Sequence, residues 1–106
     1  MMTESDRRIL EQFAARLRER FPEARLWAFG SRVRGQADPE SDLDVCVVIG
    51  QRTESTRKEV SHIAWEVGFE HDLVISTVVF SEEEFERGPC SVSPLVCTIH
   101  EEGVAA

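Results

Sequence analysis

The stretch from Phe29 to Val48, FGSRVRGQADPESDLDVCVV, decides how the rest of the chain is read. A strand from Arg25 to Phe29 stops at Gly30-Ser31, a basic stretch with Arg32 and Arg34 follows, and ten residues after Ser31 a second strand opens with Asp42-Leu43-Asp44. Side chains two apart on a strand point the same way, so Asp42 and Asp44 share one face while Leu43, Val45, Val47 and Ile49 share the other. Two like charges side by side repel, and Asp is depleted in strands. A divalent cation would remove the conflict.

Working outward, the chain has 106 residues, 42% of them hydrophobic, which is enough for one packed core and points to a single domain spanning 1–106. Its 12 basic and 20 acidic residues give a net charge of -8, which argues against a protein held to nucleic acid by general basicity. The run Glu82, Glu83, Glu84 and Glu86 reads as a solvated helix face. Cys46, Cys90 and Cys97 are odd in number and lack CxxC spacing, so all three are expected as free thiols in a cytoplasmic protein. MMTESDRR carries no apolar signal core, and no run approaches the length of a membrane span.

A first helix is expected from Ser5 to Arg20, with Ile9, Leu10, Phe13, Ala14 and Leu17 as its inner stripe and Thr3 or Ser5 as cap. Phe21-Pro22 ends it. Residues Ser31 to Val33 make a helical turn stopped at Gly35, followed by a polar loop from Gln36 to Glu40. The second strand runs from Asp42 to Ile49. A second long helix covers Thr53 to Phe69, with Val60, Ile63, Ala64 and Val67 inward and Thr56 with Glu59 as capping box. Leu73 to Phe80 is a third strand, so apolar that it is either covered on both faces or paired centrally. Ser81 with Glu84 caps a short helix ended by Gly88-Pro89, and Ser93-Pro94 opens a last helix to Glu102 with Leu95, Val96 and Ile99 inward. The order gives an α/β (α+β) domain, a small mixed sheet with helices packed on it, whose strand order is not readable.

Asp42 and Asp44 alone would also suit a polar turn entering a strand. Asp72 adds weight, because it opens the third strand and would join the pair if that strand lies beside the second. Three convergent carboxylates suit magnesium, which keeps waters and phosphates as its other ligands. Gly30 lets a ligand approach the backbone, and Ser31 offers a hydroxyl and backbone N–H groups for phosphate oxygens. Arg32 and Arg34 are cations for a triphosphate, or else structural partners of Asp38, Glu40 or Asp42.

Gly-Ser, ten residues, Asp-x-Asp and a later strand Asp together resemble the DNA polymerase beta-like nucleotidyltransferase superfamily. GSRVRG, SDLDV and the short length look most like its minimal nucleotidyltransferases (MNT), often encoded beside a HEPN-domain partner as antitoxins. The resemblance covers most of the chain and implies a palm-like fold. It implies metal-dependent transfer of a nucleoside monophosphate, AMP from ATP, to an acceptor hydroxyl, with two magnesium ions held by Asp42, Asp44 and Asp72. Asp42 and Asp44 would bridge both ions, and Asp72 would help deprotonate the acceptor. Gly30, Ser31, Arg32 and Arg34 would meet the nucleotide. Larger relatives carry an extra domain for the acceptor, so the resemblance implies an acceptor on a partner, a HEPN-type toxin modified on a hydroxyl side chain. The rival expectation is a non-catalytic antitoxin or subunit that neutralises its partner by occlusion.

His71 is expected in a packing or surface role, because neighbouring strand residues face opposite ways. His62 and His100 lack metal-ligand spacing, and Trp27 and Trp65 are expected in the core. No P-loop is present.

Overall fold

The inner stripe expected of the first helix forms as read. α1 spans Glu4–Arg20, and the Thr3 hydroxyl caps it by accepting the Asp6 N–H at 3.0 Å. In this computed structural model, which describes residues 2–35, 41–88 and 93–106, Ile9, Leu10, Phe13, Ala14 and Leu17 are all buried. The loop expected from Gln36 to Glu40, Pro89 and Cys90 lie outside the described residues.

β1 (Arg25–Phe29) follows, then α2 (Ser31–Arg34), β2 (Leu43–Ile49), α3 (Glu54–Glu70), β3 (Ile75–Ser81), α4 (Glu82–Glu86), α5 (Pro94–Glu102) and β4 (Val104–Ala105). The described strands form one mixed sheet in the order β3-β2-β1-β4. β1 runs antiparallel to β2 and β4, whereas β2 and β3, joined through the crossover helix α3, are parallel.

Alternation along β2 sorts the core into two layers. Leu43, Val45, Val47 and Ile49 face α1 and α3, joining Phe13, Leu17, Val60, Ala64 and Val67. Cys46 and Val48 point the other way, into a smaller cluster with Phe80, Phe85, Val96 and Ile99. Truncating a large residue of either layer to alanine would cost on the order of 2–5 kcal/mol. Trp27 stacks on Phe85 at 5.2 Å within the smaller layer.

Four features differ from the sequence reading. β2 begins at Leu43, leaving Asp42 just outside the ladder. The capping box of α3 is Thr53 with Thr56, since Thr53 is the residue with extended backbone before the helix. β3 lies at the edge of the described sheet, so of the two readings offered the one covered on both faces holds. Its apolar run is explained by cover on both faces, because Ile75 and Val79 enter one layer and Phe80 the other. β4, too short and plain to announce itself, pairs Trp27 with Ala105 and Ala28 with Val104. Trp65 is 63% exposed, stacked on Phe69 on the outer side of α3. Among the described residues no helix is long and apolar enough to cross a membrane.

Candidate active site

Strand register brings the two halves of the quoted stretch together. Phe29, the last residue of β1, pairs with Asp44, so the Gly30-Ser31 turn leaves the sheet beside that carboxylate. Gly30 has φ 85°, a conformation that residues with a Cβ rarely adopt. A Cβ placed there would lie only 2.5 Å from Asp44 Oδ2. Asp44 therefore occupies the space the glycine leaves, and the turn cannot carry a side chain without displacing it. Gly35, with φ 72°, ends α2 as a left-handed cap.

Asp44 is half-buried and Asp42 exposed. The Asp44 carboxyl is held above the usual carboxylate range, first by burial and then by Asp42, with Arg34 pulling the other way.

The two arginines separate in role. Arg32 Nε donates to the Ser41 carbonyl at 2.7 Å, and its Nη1 donates to Asp6 Oδ1 at 2.9 Å. Both side chains of that ion pair are largely buried, at 12% and 7% exposure, so Arg32 fastens α2 to α1 and to the residue preceding Asp42. Sequence reasoning offered Asp38, Glu40 or Asp42 as structural partners, of which Asp38 and Glu40 lie outside the described residues, and did not name Asp6. The signal was present: Asp6 begins the spacing Asp6, Ile9, Leu10, Phe13 and so lies on the buried stripe. Arg34 is exposed, reaches Glu102 at 3.4 Å, and bears electrostatically on Asp44.

Asp72 does not join the pair. Its backbone is left-handed, with φ 54°, just beyond the end of α3. Its N–H donates to the Phe69 carbonyl at 3.4 Å, and the Leu73 N–H donates to the Gly68 carbonyl at 2.9 Å. This crossed pair is the Schellman arrangement that ends helices, and Asp72 holds the position usually given to glycine. The residue lines a groove with Ser61, Trp65, Phe69, Ile75 and Thr77, on the α3 side of the sheet. Asp44 is on the other side, where its register partner across the ladder is Ser76. Among the described residues no group of three or more His, Cys, Asp or Glu is placed to hold a metal ion.

Of the remaining candidates, Ser31 is half-buried at the first residue of α2, where leading amide groups have no intrahelical acceptor. His71 is exposed and its Nε2 pairs with Gln12 Oε1 at 2.7 Å, in keeping with the surface role read for it. His62 is exposed beside Glu66, and His100 is exposed with its ring near Phe85. Cys46 is fully buried and its thiol is pushed up to about 12 by that burial, while Cys97 is exposed; both are free.

Two carboxylates that repel at the mouth of a glycine turn fit one magnesium ion, which binds through one or two carboxylates and takes its other ligands from water and phosphate. They do not by themselves fit two such ions.

The family model described as Nucleotidyltransferase domain matches residues 10–104. No curated protein matches the chain. Among solved structures, a toxin-antitoxin complex MntA-HpeT, in a mutant with two aspartates changed to glutamate, aligns with a TM-score of 0.58 and 17% identity, over 90% of this chain and 69% of that one. A toxin-antitoxin structure with AMP-PNP aligns at 0.56 with 19% identity, over 90% and 70% respectively. A nucleotidyltransferase candidate from Sulfolobus solfataricus aligns at 0.55 with 21% identity, over 96% and 82%. The mixed sheet and flanking helices are those of these neighbours, and with a family match over nearly its whole length the chain belongs to the nucleotidyltransferase domain family.

Proposed function

We propose that this chain transfers a nucleoside monophosphate, AMP from ATP, to a hydroxyl of a partner protein, a HEPN-type toxin, in a toxin–antitoxin pair of the cytoplasm. The observation that carries the reading is the meeting of the Gly30-Ser31 turn with Asp44 through the Phe29–Asp44 register. In that arrangement the turn faces the triphosphate, with the Ser31 hydroxyl and nearby amides toward phosphate oxygens. Asp42 and Asp44 would hold magnesium against the triphosphate, where the ion neutralises charge that develops on the phosphate oxygens. Arg34, exposed and paired with Glu102, would meet a phosphate by exchanging that partner, whereas Arg32 acts at one remove by fixing α2.

In the transfer, the acceptor oxygen forms a bond to the α-phosphorus, the bond from that phosphorus to the oxygen bridging to the β-phosphate breaks, and pyrophosphate leaves. The hydroxyl proton passes to a nearby base. A toxin setting draws support from the neighbours, two of which are toxin–antitoxin structures, one with AMP-PNP. A net charge of -8 suits approach to a basic partner.

The test is incubation with α-labelled ATP, magnesium and the protein encoded beside this one. Label should enter the partner, depend on magnesium, and fall at least a hundredfold in Asp42→Ala. No transfer above that variant would overturn the proposal. Occlusion without chemistry draws support from the two-carboxylate site, and neutralisation that survives Asp42→Ala with Asp44→Ala would favour it.

A further inference from the structure

The parallel ladder fixes which residue of β3 stands next to which residue of β2. Asp44 is opposite Ser76, Leu43 opposite Ile75 and Val45 opposite Thr77. Residues paired across a parallel ladder point to the same face, about 5 Å apart. Ile75 enters the α1/α3 layer while Val78 and Phe80 enter the other, so Ser76 shares the face of Asp44. A carboxylate from the neighbouring strand beside Asp44 would therefore occupy position 76, and one beside Asp42, a pleat earlier, would occupy position 74, which is Val74. Asp72 lies four residues earlier, up to about 13 Å along an extended chain. Its left-handed backbone and its groove beside Trp65 put it on the α3 side.

We infer that Ser76, by standing where a third carboxylate beside Asp44 would have to stand, limits this chain to one divalent cation per bound nucleotide, and that Asp72 is the terminator of α3 and no metal ligand. The inference rests on the nucleotide-binding reading given above and sharpens it: the catalytic face contributed by this chain is Asp42, Asp44 and a serine hydroxyl. Serine is neutral and its hydroxyl is a poor ligand and a poor base at neutral pH. The group that takes the acceptor proton must then be sought outside the three family positions, on the acceptor included.

The experiment counts ions without relying on turnover. Wild type, Asp72→Gly and Ser76→Asp are saturated with α,β-methylene-ATP, whose α–β link resists transfer, and titrated with Mn2+, the bound ion being counted by electron paramagnetic resonance. The expected result is one protein-dependent ion for wild type, one for Asp72→Gly and two for Ser76→Asp. Two ions in wild type with one lost in Asp72→Gly would overturn the inference while leaving the nucleotide-binding function intact. No bound nucleotide or ion in folded wild type would overturn both. If Ser76→Asp fails to fold, wild type and Asp72→Gly decide the matter between them, since the second keeps the helix end in the conformation glycine favours.

Discussion

Gly30 cannot gain a side chain without strain. Gly30→Ala would force a Cβ into a left-handed backbone and against Asp44 Oδ2, at a cost of roughly 1–3 kcal/mol. A urea midpoint lowered accordingly, together with weakened nucleotide binding, is expected; unchanged values for both would mean the turn is looser than described. Asp44 acts in the opposite sense. Its folded carboxyl is held above the ordinary value near 3.9, so the native state binds the extra proton and stability declines as pH rises through the interval between the unfolded and folded values. Above that interval the loss is complete and constant. Asp44→Asn should therefore raise the melting temperature by a few degrees at pH 7 and not at all near pH 3, as scanning calorimetry without divalent ions would read it. At Asp72 the trade falls differently. An αL residue other than glycine costs on the order of 1 kcal/mol, and Asp72→Gly should recover about that amount in urea unfolding.

At the scale of elements, α1 and α2 are tied by the buried Arg32–Asp6 ion pair. Asp6→Ala removes one hydrogen-bonded carboxylate from the Arg32 guanidinium and should cost about 1.5–3 kcal/mol, measured by urea unfolding. The same loss would misplace α2 and with it the phosphate turn, so activity should fall even under conditions where the variant is folded. α4 has its own tie. Ser81 and Glu84 form the capping box read from sequence, and Arg52 holds Glu84 through two bonds of 2.9 Å. Helix caps and breakers were legible because each uses one residue's local chemistry: Thr3, Ser81, Ser93-Pro94 and Gly35 needed no tertiary partner. The Asp42–Asp44 pair and the Gly-Ser turn were legible for the same reason, as alternation and spacing carry them. Asp72 misled because identity and proximity to a strand say nothing of backbone handedness. Whether a residue before a strand sits on one face or the other is settled by how the preceding helix ends, and here that depends on the Gly68 carbonyl meeting the Leu73 N–H.

For the molecule as a whole, the strand order β3-β2-β1-β4 could not be read because pairing is a choice among partners remote in sequence. Trp65 shows the same limit from outside. Its helical neighbours are apolar enough to suggest the core, yet the stripe of α3 that is buried runs through Val60, Ala64 and Val67, and Trp65 lies off it. Trp65→Ser should accordingly shift stability by no more than about 0.5 kcal/mol, and a loss above 2 kcal/mol would contradict the exposed placement.

β2 is hydrogen-bonded along both edges, by β1 on one side and β3 on the other. Its amides can exchange with deuterium only when a neighbouring strand leaves, which in so small a sheet approaches full unfolding. Asp44 thus rides on a strand paired on both edges, while the turn that faces it is held through Arg32 of α2. Of the two halves of the site, one is held by backbone pairing on both edges and the other by the side-chain ties of Arg32, so nucleotide should slow exchange at Gly30 and Ser31 more than at Asp44.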